Sequence, residues 1–267
     1  NYIVKKSEDI INKLYNTYLN FDTTKYELIA TENISYDLIR KELYNFPSYD
    51  ENKADDFKNK INKIKNKYIY KLLIDDIQIN VFFYAEYDQA IFNRLLGIIY
   101  LFIKTFGIDL SIYDNYNIRF LLVDFPRRLD GKNKKSKDSF RNLGLIGYFN
   151  NSSGVHIKNK KELVVTRKSG LYGLLIHELI HMVGLDFCFN KTDGNMANIM
   201  GWNKEWVNNN NIVQNDNNIV SFIESICNTN SSYFVSIYNA IILSKETSNP
   251  TKLIKYFKYF FYLETVY

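Results

Sequence analysis

Cysteine, proline, glycine and histidine are all scarce in this chain of 267 residues, which has 2 Cys, 3 Pro, 11 Gly and 3 His. The two cysteines, Cys188 and Cys227, are too few for a disulfide framework and do not form a thiolate zinc motif. No segment rich in proline and glycine marks a linker between domains. Because only three histidines exist, the position of each one is informative.

Long uninterrupted apolar runs are also absent. The longest apolar segment, 90–107, contains Arg94 and Lys104, so we expect a buried helix and no membrane segment. The formal net charge of +5 is small, and the densest basic cluster (131–138) has no interleaved aromatic residues. We therefore expect a solvated loop there and no nucleic-acid partner. Because the chain begins at Asn1 instead of Met, we also expect a fragment or a processed product.

Hydrophobic residues make up 46% of the chain and aromatic residues 16%, which is enough for a sizeable core. Apolar residues at three- and four-residue spacing predict helices over most of 1–65, and 69–85 predicts two strands that could form a hairpin around Asp75–Asp76. From residue 87 onward, the predicted order is helix, strand, loop, two strands, helix and C-terminal helices. We therefore predict an α+β fold. A mostly helical N-terminal region, 1–86, could be a separate lobe or could pack on the same core as the domain that we predict over 87–267.

The stretch GLLIHELIHMVGLDF (173–187) contains two of the three histidines. His177 and His181 are four residues apart, so on a helix both imidazoles can reach one metal ion. Glu178 follows the first histidine and can take a proton from a metal-activated water and return it to a leaving amine. A His–Glu–His group without a metal would be a costly polar cluster in such an apolar helix. The motif therefore predicts one Zn²⁺, with Glu178 as the general base.

A catalytic zinc site needs a third protein ligand, and several residues are candidates. We prefer Glu224, because its apolar neighbours in NIVSFIESICN predict an embedded helix and a buried glutamate needs a partner. Asp186 is one residue short of the position where zincins with a glycine turn have their third ligand, so we expect it to accept a histidine N–H instead. Glu205 lies in a polar segment typical of a solvated loop. His156, on a strand or turn, could line the cleft.

The set of His177, His181 and Glu224 resembles that of the gluzincins, zinc metallopeptidases with HExxH on one helix and a glutamate on a later one. More narrowly, ELVVTRKSGLYGLLIHELIHMVGLDF (162–187) followed by IVSFIESICN resembles metallopeptidases predicted in large nucleocytoplasmic DNA viruses. The resemblance covers roughly residues 144–230. It implies that 87–267 is a zincin-like domain, with a small mixed sheet, the active-site helix and C-terminal helices. It also implies a zinc metalloendopeptidase that acts on a peptide or protein substrate.

The same resemblance implies two further parts of an active site. One is a strand beside the active helix that pairs with an extended peptide, and 153–157 or 162–167 could provide it. The other is a donor to the transition-state oxyanion. Tyr233 or Tyr238 could be that donor, although core packing is the simpler expectation for both.

Two alternatives accompany this interpretation. If the two ligand segments meet at one zinc ion, Cys188 and Cys227 could lie near each other and form a disulfide, although reduced cysteines are the simpler expectation. The chain could also be a non-catalytic structural or interaction protein that retains a zincin fold, for example a virion component. The viral resemblance would place the protein in a virion or in the host cytoplasm.

Overall fold

The computed structural model describes residues 2–43, 59–123, 154–157, 160–166, 168, 170–185 and 216–266. The chain divides into two compact units, Asn1–Glu178 and Leu179–Tyr267. Over the described residues, the first unit contains a mixed β-sheet with helices and the second is helical. The fold is therefore α+β, as the sequence predicts.

Six strands in the described ranges form one mixed sheet, in the order β1-β2-β3-β4-β6-β5. The strands are β1 (Tyr26–Asn33), β2 (Asn66–Ile74), β3 (Ile77–Tyr84), β4 (Tyr116–Leu121), β5 (Gly154–Ile157) and β6 (Glu162–Val165). Strands β1, β2 and β3 pair antiparallel, and β2 and β3 form the hairpin around Asp75–Asp76. Strands β3, β4 and β6 pair in parallel, whereas β5 pairs antiparallel with β6. Among these strands, β1 and β5 are the two edges.

The N-terminal region contains a strand that the sequence pattern does not predict. Strand β1 separates helix α1 (Tyr2–Leu19) from helix α2 (Tyr36–Glu42). The prediction of mostly helical structure over 1–65 is therefore wrong for β1. Most side chains of β1 are exposed, so the strand has no alternating apolar pattern, and its pairing with β2 determines its conformation. Residue 87, where we predict the second domain to begin, follows β3 inside the first unit.

The long apolar segment forms a core helix, α3 (Gln89–Phe106). This helix connects β3 to β4, because two parallel strands need a crossover connection. Phe92 of α3 stacks on Phe83 of β3 with 4.2 Å between ring centroids, and Phe83 stacks on Phe120 of β4 at 5.1 Å. Helix α3 therefore covers this face of the sheet. By length and composition it is the one helix in the described residues that could cross a membrane, but 61% of it is buried inside the fold.

The opposite face of the sheet carries a partly buried polar network. Arg119 of β4 donates from Nε to Glu162 of β6 at 2.6 Å and from Nη1 to the hydroxyl of Tyr84 at 3.0 Å. Tyr84 donates in turn to Glu42 of α2 at 2.6 Å, and Glu42 also accepts from Lys67 of β2 at 3.0 Å. Burial raises the pKa of Tyr84, so its hydroxyl stays a donor at neutral pH. The network ties the short strand β6 to the longer strands and to α2.

The chain continues from β6 into helix α4 (Leu171–Val183), which carries the HExxH motif, and the boundary between the compact units follows Glu178 within this helix. In the second unit, helix α5 (Asp216–Glu246) packs against helix α6 (Leu253–Val266). A short 3₁₀ turn that begins at Pro250 connects α5 and α6. Most of the predicted polar insert between α4 and α5 lies outside the described residues.

Candidate metal centre and active site

Helix α4 brings the three residues of the HExxH motif onto one regular element. Its last turn ends at Gly184, where the backbone has φ 76°, and the N–H of Leu185 donates to the carbonyl of Ile180 at 2.9 Å. This pattern is a Schellman cap, in which a glycine takes the left-handed conformation at low cost. The motif thus lies entirely inside a complete helix. The i, i+4 spacing places His177 and His181 on one side of that helix.

Glu178 is buried, with 5% of its surface exposed, whereas His177 and His181 are both partly exposed. Glutamate is rarely so buried unless its carboxylate has a partner. The Glu178 side chain lies against Gly154, the first residue of the edge strand β5. A Cβ atom added to Gly154 would be 2.6 Å from Oε1 and 2.9 Å from Cδ of Glu178. The carboxylate is therefore held directly beside the main chain of β5.

Of the two segments predicted to pair with a substrate, one lies at an edge of the sheet that the described strands form. Strand β6, within 162–167, pairs with β4 on one side and with β5 on the other. Strand β5, within 153–157, pairs with β6 alone among the described strands. An extended peptide could therefore be added beside β5 but not beside β6.

His156 of β5 lies on the same sheet face as Gly154, because residues two apart on a strand share a face. Its Nε2 is 2.5 Å from the hydroxyl of Tyr116 on β4, and the two rings stack at 6.0 Å. Burial raises the pKa of Tyr116, so the phenol is neutral at physiological pH. His156 therefore borders the region of Glu178, held by a neutral tyrosine. The sequence indicates His156 as a possible cleft residue but gives no sign of Tyr116.

His181 contacts helix α5 within the second unit. Its Nδ1 is 3.9 Å from Sγ of Cys227, which forms no disulfide with any described residue and has 0% of its surface exposed. A metal-binding histidine commonly uses one ring nitrogen for the metal and the other for a neighbour, so a metal ion at His181 would be bound through Nε2. Glu224 precedes Cys227 by three residues on α5, which is about one helical turn. The Glu224 side chain lies outside the described part of the chain.

The two tyrosines predicted as oxyanion donors both lie on helix α5. Tyr233 contacts Phe257 of α6 at 5.4 Å and Phe261 at 6.0 Å, so its ring belongs to the packing between α5 and α6. Tyr238 is buried on α5, with 3% of its surface exposed. Asp186, Glu205 and Cys188 lie outside the described residues, so their predicted roles and the disulfide stay predictions.

The chemistry of the donors fits a zinc ion. Among the described side chains, no group of three His, Cys, Asp or Glu residues is close enough to hold a metal. A metal ion held by His177 and His181 would need a third donor from a residue whose side chain is not described, and Glu224 is one such residue. Two imidazoles at i, i+4 with one glutamate are the ligands of a common class of catalytic zinc sites.

No protein-family model matches the chain, and comparisons with curated proteins and with solved structures also find no match. The function must therefore be argued from the residues themselves.

Proposed function

We propose that this chain is a zinc-dependent metallopeptidase with a zincin-like fold of the gluzincin type. One observation carries the proposal: the buried Glu178 of an HExxH helix lies against the main chain of an edge strand at Gly154. In a peptidase, a general base must be close to the scissile bond of the bound peptide. A peptide paired with β5 would pass directly beside this carboxylate.

The roles of the residues follow from this arrangement. His177 and His181 would hold the zinc ion, with Glu224 as the third ligand. A zinc ion bound there would act as a Lewis acid that polarises the scissile carbonyl and makes water a better nucleophile. Glu178 accepts the proton of the attacking water and returns it to the leaving amine. Its burial keeps bulk water away from the carboxylate, and the main chain of β5 orients the peptide through backbone hydrogen bonds.

The contact between His181 and Cys227 supports Glu224 over Glu205 as the third ligand. It brings α5 beside His181 within the second unit, at a point three residues from Glu224. Residues three apart on a helix are neighbours on its surface. Glu224 therefore belongs to the turn of α5 that adjoins His181.

The test compares the zinc-loaded wild-type chain with Glu178→Gln on a diverse library of unstructured peptides, with the zinc content of both measured. We expect cleavage by the wild type, and a loss of cleavage in Glu178→Gln with the zinc content unchanged, because Glu178 is not a ligand. Full activity of this variant would refute the role of Glu178. Zinc binding by a wild-type chain that cleaves no peptide would favour the structural alternative, a non-catalytic protein with a zincin-like fold.

A further inference from the structure

Gly154 has no conformational reason to be glycine. The left-handed glycines of the described chain are Gly170 and Gly184, whereas Gly154 begins a regular antiparallel strand. Glycine inside a strand weakens the strand, since it costs backbone entropy and has no side chain to pack. Strand β5 has only four residues, so this cost falls on a short element. A glycine at such a position commonly marks the close approach of another group.

The group that approaches is the side chain of Glu178. A Cβ on Gly154 would meet its Oε1 at 2.6 Å, its Cγ at 2.7 Å and its Cδ at 2.9 Å. Real Cβ atoms essentially never make contacts under 3.0 Å, and ordinary van der Waals contact begins at about 3.4 Å. An alanine would therefore require Oε1 and the β5 main chain to separate by about 0.8 Å, the difference between 2.6 Å and 3.4 Å.

We infer that Gly154 is a positioning residue, whose missing side chain lets the Glu178 carboxylate sit against the main chain of β5. The inference rests on the proposed role of Glu178 as general base. According to this inference, strand β5 and helix α4 together determine how close the Glu178 carboxylate lies to a peptide paired with β5. Any side chain at position 154 would compete for the space of the carboxylate, beside which the proposed peptide would pass.

A thermal cycle tests the contact without relying on activity. It compares the wild type, Gly154→Ala, Glu178→Ala and the double variant, each with its melting temperature measured by circular dichroism. In the wild-type background, Gly154→Ala should lower the melting temperature by at least roughly 2–4 °C. In the Glu178→Ala background, Gly154→Ala should not lower the melting temperature. All three crowding atoms are then gone, and alanine is favoured over glycine in a strand. An equal loss in both backgrounds would overturn the inference.

A kinetic measurement tests the positioning role. Gly154→Ala should lower kcat by about 10²-fold, since a displacement near 1 Å can cost this much, while KM and zinc content stay unchanged. An unchanged kcat, in a chain where Glu178→Gln abolishes cleavage, would refute the positioning role but not the proposed function. A wild-type chain that cleaves nothing would refute the proposed function and, with it, any catalytic role of Gly154. The thermal cycle would then still decide whether the contact exists.

Discussion

Glu162→Gln should destabilise the first unit, because it removes the charge that pairs with Arg119. The two side chains are 11% and 17% exposed, and Nε and Oε1 are 2.6 Å apart. Breaking a buried ion pair by removing one partner costs about 3–5 kcal/mol. Here the loss should be smaller, because a glutamine oxygen can still accept and Arg119 keeps Tyr84 at 3.0 Å and the Phe82 ring at 4.3 Å. We expect about 2–3 kcal/mol, or roughly 5–10 °C in melting temperature by calorimetry at pH 7.

The matched control is Asp75→Asn, which removes an exposed ion pair. Asp75 pairs with Lys104, and their side chains are 44% and 35% exposed. Asp75 has φ 51°, a conformation that asparagine also tolerates, so the backbone should not change. Exposed pairs contribute about 0–1 kcal/mol, so the melting temperature should fall by less than roughly 4 °C. Equal losses of melting temperature in the two variants, or no loss in Glu162→Gln, would show that burial does not determine how much these ion pairs stabilise the fold.

Three further predictions concern helix α4, its neighbour on α5 and the buried tyrosines. Cys227→Ala should weaken zinc binding by about 10–100-fold in a chelator competition, because the neighbour that orients the His181 ring is lost; unchanged affinity would mean that the thiol does not hold the ring. Gly184→Ala should cost about 1–2 kcal/mol in denaturant unfolding, because φ is 76° at that residue; a neutral effect would mean that the cap is not strained by a side chain. Alkaline pH should destabilise the first unit, because burial raises the pKa of Tyr70 to about 12 and also raises the pKa of Tyr84 and Tyr116. An unfolded tyrosine has a pKa of about 10. The contribution of the buried, protonated tyrosines to the free energy of unfolding is therefore complete below about pH 10 and is lost as the pH rises toward 12. Unfolding free energies that stay constant between pH 9 and pH 12 would contradict it.

Local patterns in the sequence predict the elements that have a regular spacing of apolar residues or a recognisable turn. Helix α3 and the hairpin of β2 and β3 follow from apolar spacing and from the turn at Asp75–Asp76. Strand β1 does not, because it is an exposed edge strand whose conformation depends on pairing with β2. Long-range pairing of this kind leaves no periodic signal in the strand itself.

The candidate site divides in the same way. The sequence predicts one helix that carries His177, Glu178 and His181, and the i, i+4 spacing places the two histidines on one side of it. The contact of Glu178 with Gly154 depends on how α4 packs on β5, and the contact of His181 with Cys227 depends on how α4 meets α5. Gly154 and Glu178 are 24 positions apart in the sequence, and His181 and Cys227 are 46 positions apart. A local sequence pattern cannot predict contacts over such separations.

The zinc content of the purified chain, measured by mass spectrometry of the metal, tests the proposed metal centre most directly. We expect one zinc ion per wild-type chain, the same content in Glu205→Gln, and a strong loss in both His181→Ala and Glu224→Gln. A wild-type chain that binds no zinc, or a His181→Ala variant that keeps all of it, would contradict the proposal.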